Sequence, residues 1–208
     1  MSLFKLENVN FKDVALYPDL EIKQGTTTFI RGESGTGKST LLKLLNGVFT
    51  PTTGHIFYED KELSTYDSIE LRRNVLLVGQ AAVLFDEQSI KDNFSIFFDY
   101  RDLEVPSEDE IINYLTICSI DLPLENDVYQ LSGGEKQRVF IAIHLALGFD
   151  VLMLDEPTSA LDVKNAHALL TNVKEFCKKA GKTLIVVSHD QEIIEKFADD
   201  VITLGGEE

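Results

Sequence analysis

A chain of 208 residues, 26% charged and 44% apolar, suits one large globular domain or two small ones with a proper core. Its formal net charge of −16 makes a surface that repels phosphate backbones and anionic lipid. That argues against nucleic acid as a broad partner and against unaided binding to a membrane. Cys118 and Cys177 form no CxxC pair and are expected as buried, reduced thiols. MSLFKLENVNFKD has no basic stretch followed by an apolar run, so no signal peptide is expected. No apolar run approaches the ~20 residues of a membrane span, and the expectation is a soluble, cytosolic chain.

LFKLENVNF comes first, then DLEIK; with the later GHIFYED these partly alternating stretches predict half-buried strands of an antiparallel layer. TTTFI (26–30) is the first of four continuous apolar runs, the others being VLLVG (75–79), VLML (151–154) and TLIVV (183–187). Such runs suit strands covered on both faces, as in a parallel sheet flanked by helices. GKSTLLKLLNGV and KNAHALLTNVKEFCKKAG are the helical patterns between them, the second closed by Gly181 as C′ residue. The alternation indicates an α/β fold. Between about Leu84 and Ala146 the pattern turns mostly helical, an insertion between sheet strands. There Ser107 and Glu110 have capping-box spacing behind Pro106, and Ile111, Leu115 and Cys118 share a helical face.

GESGTGKS, Gly32 to Ser39, fits G-x-x-x-x-G-K-[ST] directly after an apolar strand and at the start of a helix. Backbone N–H groups of Gly32, Glu33, Ser34, Gly35, Thr36, Gly37, Lys38, Ser39 and Thr40 would cradle phosphates, with Lys38 on the β- and γ-phosphates and the Ser39 hydroxyl on Mg²⁺. The other three apolar runs end in Gln80, in Asp155 with Glu156, and close to His189. Parallel strands present these ends on one edge, where doubly wound folds bind ligands. Asp155 suits a Mg²⁺ carboxylate and Glu156 a base that polarises water; His189 and Gln80 would position that water and the γ-phosphate. Taken together they describe Mg-dependent hydrolysis of a nucleoside triphosphate.

LSGGE at 131–135 admits two readings. Ser132 and Glu135 have the spacing of a plain capping box. Gly133 and Gly134, however, weaken a helix start by up to ~1 kcal/mol each. A ligand pressed against bare backbone would account for that, as a second phosphate contact.

P-loop, LSGGE, VLMLDEP and a downstream SHD, in this order, resemble the ATP-binding cassette (ABC) ATPases over essentially the whole chain. In that resemblance LSGGEKQR is the signature motif, Gln80 the Q-loop residue, SALD with Ser159 and Asp162 the D-loop, and His189 the H-loop residue. The implied fold is a P-loop NTPase with a RecA-like parallel core, an antiparallel β subdomain and a helical insertion. It would form a single domain over 1–208, with core 1–84 and 147–208 and helical subdomain about 85–146. The implied cofactors are ATP and Mg²⁺, the latter held by Ser39, Gln80 and Asp155. Two cassettes pair head to tail in that family, so Ser132, Gly133, Gly134 and Glu135 would touch ATP held by a second copy or a homologous cassette. A separate transmembrane permease would hold the chain against the inner face of the cell membrane. No nucleic-acid partner is expected; the alternative of an ABC protein acting on nucleic acid runs against the acidic charge and the single cassette.

Two stretches bear on partners and base. The family usually stacks adenine on an aromatic residue ahead of the P-loop, where this chain has Asp13; Phe11 and Tyr17 are the substitutes at hand, each also explained by packing. In QAAVLFDEQSIKDNFSIFFDY, Phe94, Phe97, Phe98 and Tyr100 cluster where the family receives a helix of the membrane subunit. At least half of them are expected in the insertion's own core, and an exposed remainder would form a groove for a partner.

Overall fold

The computed structural model describes residues 1–12 and 15–205, so Asp13 lies outside the described residues. In chain order, β1 (Ser2–Phe11), β2 (Ala15–Leu16), β3 (Leu20–Lys23) and β4 (Thr27–Gly32) lead into α1 (Lys38–Leu45). Then come β5 (Thr53–Tyr58), β6 (Lys61–Glu62), α2 (Ser68–Asn74) and β7 (Val75–Val78), followed by α3 (Ile90–Asp99), α4 (Glu108–Ile117) and α5 (Gly133–Ala146). The remaining elements are β8 (Val151–Asp155), α6 (Val163–Lys179), β9 (Thr183–Val187), α7 (Gln191–Phe197) and β10 (Asp200–Leu204). They divide into two compact units. One holds Met1–Leu77, Phe149–Glu156 and the chain from Cys177 onward; the other holds Val78–Gly148 and Pro157–Phe176.

The first unit contains two sheets. In the antiparallel one, β2, β1, β5 and β6 lie side by side and β3 adds to β1. Along β1 the inward face changes phase. Phe4 and Leu6 are buried, then Val9 and Phe11, which simple alternation from Leu6 would not allow. Asn8, at φ 51°, makes the change, where the β1–β5 register shifts between Glu7 and Asn10. This is a bulge, an extra residue that re-aims the rest of the strand. Opposite it a Cβ at Gly54 would lie 2.2 Å from the Asn8 carbonyl oxygen, so only glycine fits there.

The other sheet runs β10-β4-β9-β8-β7, with β10, β4, β9 and β8 parallel to their neighbours among these four. All residues of β8 and β9 are buried, as their unbroken apolar sequences predict. Leu41, Leu42, Leu44 and Leu45 of α1 fill a core shared with Phe4, Leu6 and Ile56 of one sheet and Met153, Ile185 and Val187 of the other. Helix α1 is thus clamped along its whole length, which fixes where its N-terminus points.

The second unit is helical. Ser107 and Glu110 form the expected capping box at the start of α4, and Ile111, Leu115 and Cys118 are buried behind it. Phe94 and Phe98 are buried, Phe97 sits edge-on to Phe140 with ring centroids 5.8 Å apart, and Tyr100 is 89% exposed. The aromatic cluster is therefore mainly core, with Tyr100 outside it. Burial pushes the Cys118 thiol up, and that of Cys177 in the first unit up to about 12, so both stay protonated and unreactive. Gly181, at φ 67°, ends α6 as expected, with the Lys182 amide donating to the Cys177 carbonyl at 2.8 Å.

Candidate active site

The sheet register assembles the site of the first unit. Ile30 of β4 pairs with Val187 of β9, and Val187 pairs with Asp155 of β8. These three residues form one row across the parallel sheet, so the loops that begin at Gly32, Glu156 and Ser188 leave from a common edge. The Ser188 and Glu156 amides donate to the carbonyls of Ile30 and Val187, at 3.3 and 3.1 Å, and stitch that edge together.

Between β4 and α1 the chain curls through Gly35 and Gly37, at φ 87° and 88°. A Cβ on Gly37 would come within 2.7 Å of the Tyr17 hydroxyl and 2.8 Å of the Ala15 Cβ, so the turn requires glycine for space as well as for conformation. Gly37 is the N-cap of α1 and offers no side-chain acceptor. The first amide bonded within the helix belongs to Leu41, which donates to the Gly37 carbonyl at 2.8 Å. Lys38, Ser39 and Thr40 therefore point amides out of the helix start with no partner inside it. Positive potential at that end and open donors together make an anion seat. The Lys38 ammonium lies back over the loop, donating to the Gly32 and Glu33 carbonyls at 2.8 and 2.7 Å. Ser39 is exposed at the mouth of the turn.

Asp155 is 9% exposed, and its Oδ1 is buried with no hydrogen-bond partner. A buried carboxylate oxygen left unpaired is costly. A hard cation would satisfy it, and a single carboxylate suits Mg²⁺, which takes most of its other ligands from phosphate and water. Glu156 next to it is in the left-handed region, at φ 52°. A non-glycine residue there stores of order 1 kcal/mol of strain, held in this structure by the hydrogen bond that the Glu156 amide donates to the Val187 carbonyl. The conformation aims the Glu156 carboxylate at His189, whose Nδ1 lies 2.8 Å from Oε2. His189 is largely exposed while the Glu156 side chain is 18% exposed. Gln80 follows β7, is exposed, and belongs to the second unit.

Phe11 and Tyr17 are both committed to the fold. The Phe11 ring stacks on Phe49 at 4.9 Å with 12° between planes, and the Lys12 ammonium lies 5.0 Å from its centroid. Tyr17 is 2% exposed, burial pushes its phenol up to about 12, and its hydroxyl donates to the Gly37 carbonyl at 2.9 Å. Tyr17 thus supports the phosphate turn from beneath, a role that no local sequence pattern indicates.

In the second unit the helix start at LSGGE is complete in itself. The Ser132 amide and hydroxyl donate to the Glu135 carboxylate at 2.8 and 2.6 Å, and the Glu135 amide donates back to the Ser132 hydroxyl at 3.3 Å. The two glycines differ. A Cβ on Gly133 would meet nothing within 4 Å, whereas one on Gly134 would lie 2.9 Å from the Ala160 carbonyl oxygen and 2.7 Å from Leu161. Gly134 is needed for packing against the SALD segment, and Gly133 alone presents open backbone. Asp162 caps α6, its carboxylate accepting from the Asn165 amide at 2.9 Å. Ser159 lies in the same segment and is exposed. Gln137 and Arg138, the last two residues of LSGGEKQR, had no role of their own in the sequence reading and are 5% and 8% exposed. Gln137 donates to the Gly79 carbonyl at 3.1 Å, fixing the backbone just before Gln80. Polar residues running directly into the apolar stretch Val139–Ile143 of the same helix were the available signal.

An uncapped helix start behind a glycine turn, with an acidic pair on the same sheet edge, defines the P-loop nucleoside triphosphatases. The model of the ABC transporter family matches residues 17–159. Across 99% of its length the chain is 33% identical to a protein of Caldanaerobacter subterraneus subsp. tengcongensis named as an ABC transporter ATP-binding protein, and covers 88% of it. It is 34% identical over 201 residues to the methionine import ATP-binding protein MetN of Francisella tularensis, but spans only 55% of that protein. Among solved structures, the dimeric post-hydrolysis form of the cassette MJ0796 bound to ADP and Pi has a TM-score of 0.84 at 27% identity, with 97% and 94% of the two chains covered. The cbiO1 structure from Clostridium perfringens, part of the ABC transporter complex cbiONQ, has a TM-score of 0.84 at 29% identity, with 98% and 84% covered. The chain belongs to the ABC transporter family. Its α/β fold is that of the ATP-binding cassettes.

Proposed function

We propose that this chain is the ATP-binding, ATP-hydrolysing subunit of a membrane transporter, working as a head-to-tail dimer with a second copy or a homologous cassette. Support for the dimer comes from the LSGGE helix start with its open Gly133 and from the dimeric form of the solved neighbour. Lys38 and the amides at the start of α1 bind the β- and γ-phosphates. Ser39 and Asp155, joined by Gln80, hold Mg²⁺, which when bound neutralises phosphate charge and orients the γ-phosphoryl group. Glu156 accepts a proton from the attacking water, and His189 keeps the Glu156 carboxylate aimed while contacting the γ-phosphate. Ser132 and Gly133 present the seat for the phosphate of the partner's ATP, with Gly134 and Glu135 holding that turn in place and Ser159 and Asp162 flanking it. A separate transmembrane permease supplies the path for cargo and brings the chain to the inner face of the membrane. No helix among the described residues is long and apolar enough to cross a membrane. The acidic charge leaves nucleic acid outside the scheme.

The observation that carries the reading is the edge where the unpaired Oδ1 of Asp155 adjoins the Glu156–His189 pair. Glu156→Gln keeps the volume but is a poor base. It should retain MgATP binding and lose turnover by roughly 100-fold or more. Steady-state hydrolysis and equilibrium nucleotide binding on the same sample check this, and a variant that keeps most of its hydrolysis sinks the assignment of the base.

A further inference from the structure

Arg138 is a buried charged residue of the second unit whose chemistry the site above does not use. It is 8% exposed on α5, one turn beyond the capping box. Its Nη1 donates to Asn165 Oδ1 at 3.1 Å, and Asn165 Nδ2 donates to Asp162 Oδ2 at 2.6 Å. The polar chain thus runs from the signature helix to the cap of α6. The guanidinium also helps hold both the Glu135 and the Asp162 carboxyls below the ordinary carboxylate range, after the hydrogen bonds that dominate each shift. A second lock lies nearby, where Gly134 packs bare backbone against Ala160 and Leu161. Two independent contacts therefore tie the LSGGE turn to the segment 160–162, which runs straight on from Glu156. Arg138 Nε is buried without a partner. A guanidinium left partly unpaired is a poor way to stabilise a core, since apolar residues of similar volume often do as well or better.

We propose that Arg138 is a positioning residue for hydrolysis: through Asn165 and Asp162 it fixes the signature turn to the segment leading away from Glu156, so that the two move as one piece. The inference rests on the reading of Ser132 and Gly133 as a contact to ATP held by a second copy.

The test is a double-mutant cycle on the full chain, with MgATP hydrolysis and thermal unfolding measured for Arg138→Met, Asn165→Leu and the two combined. Each single change should lower kcat roughly 10- to 100-fold, as small misplacements of catalytic groups do, with KM for MgATP little altered. The pair should lose the same factor as one single change, not its square, because both cut one chain. It should also unfold at or near the wild-type temperature, the unpaired polar groups being gone. Losses that multiply would overturn the proposal by making the residues independent. A rise in KM matching the fall in kcat would assign Arg138 to the nucleotide instead. Recovery of activity along with stability in the pair would leave it a merely structural role. Should Arg138→Met not fold, Arg138→Lys closes the same cycle, retaining the charge but not the reach to Asn165. Glu156→Gln chains that stay monomeric in MgATP would sink the two-copy reading separately, with the kcat cycle still deciding Arg138.

Discussion

Helices α1 and α5 both begin beside glycines, and they begin in opposite ways. At α1 the cap is Gly37, with no side chain to offer, and three amides face outward. At α5 the cap is Ser132, closed by a full capping box with Glu135. The first start is incomplete until an anion arrives, and the second is complete without one. Glycine next to a helix is therefore not one signal but two. A turn that withholds its cap leaves amides open for an anion; a turn that keeps its cap can only present what remains open, in this case Gly133.

The largest effect should come from separating the two starts onto different chains. Lys38→Ala removes the charge-assisted grip at α1, and Ser132→Arg fills the seat at α5; each should abolish hydrolysis when alone. In a mixed dimer one site combines intact Lys38 with intact Ser132 while the other carries both lesions. Mixing should restore hydrolysis to at most about a quarter of wild type, if half the dimers are mixed and each site works independently. Rescue shows that the two starts serve one nucleotide from two chains. Absence of rescue, together with undiminished MgATP dimerisation of Ser132→Arg in a Glu156→Gln background, would count against the contact across chains.

A smaller effect should divide the glycines of α5 from one another. Gly134→Ala puts a Cβ 2.9 Å from the Ala160 carbonyl oxygen, backbone that must shift, at a cost of about 1–3 kcal/mol. Gly133→Ala meets open space and should leave the thermal midpoint unchanged or raised, by up to ~1 kcal/mol of helix propensity. The order reverses for MgATP-driven dimerisation of Glu156→Gln chains, where Gly133→Ala should impair association although it folds better. Unimpaired dimerisation of Gly133→Ala would mean that its open backbone faces only solvent.

That division also marks how far the sequence could be read. The four apolar runs were legible as buried strands because burial on both faces admits nothing more polar than threonine, and the fully buried β8 and β9 bear this out. Strand β10 was not, since its residues alternate in burial and only Leu204 is fully inside, so ADDVITL reads like any chain end. The seven-residue helices α2 and α7 fell below the length at which periodicity shows. At the site, the phosphate turn was legible because its glycines are needed locally. The reason for Gly134 was not, because Ala160 reaches it only through the fold, and the same holds for Tyr17 beneath Gly37. Phe11 looked available for a base until its stacking on Phe49 came into view.

The smallest effect concerns acid, and it should touch the capped starts and leave the uncapped one alone. Hydrogen bonds from the Ser132 hydroxyl and amide hold the Glu135 carboxyl below its ordinary value of 4.5. A carboxyl whose folded value is depressed binds protons less readily when folded than when unfolded. Its stabilising contribution is therefore fully present above the unfolded value and is lost as pH falls through the folded one. At α4, Glu110 is depressed in the same direction by Ser107, so that start should follow. Gly37 has no group to titrate, and α1 should not. Between about pH 5 and pH 3, protection factors from amide hydrogen exchange should fall for the first turns of α4 and α5 before they fall for α1. Simultaneous loss at all three would point to global unfolding in acid, and would mean that the capping box at α5 adds little to a start that packing already holds.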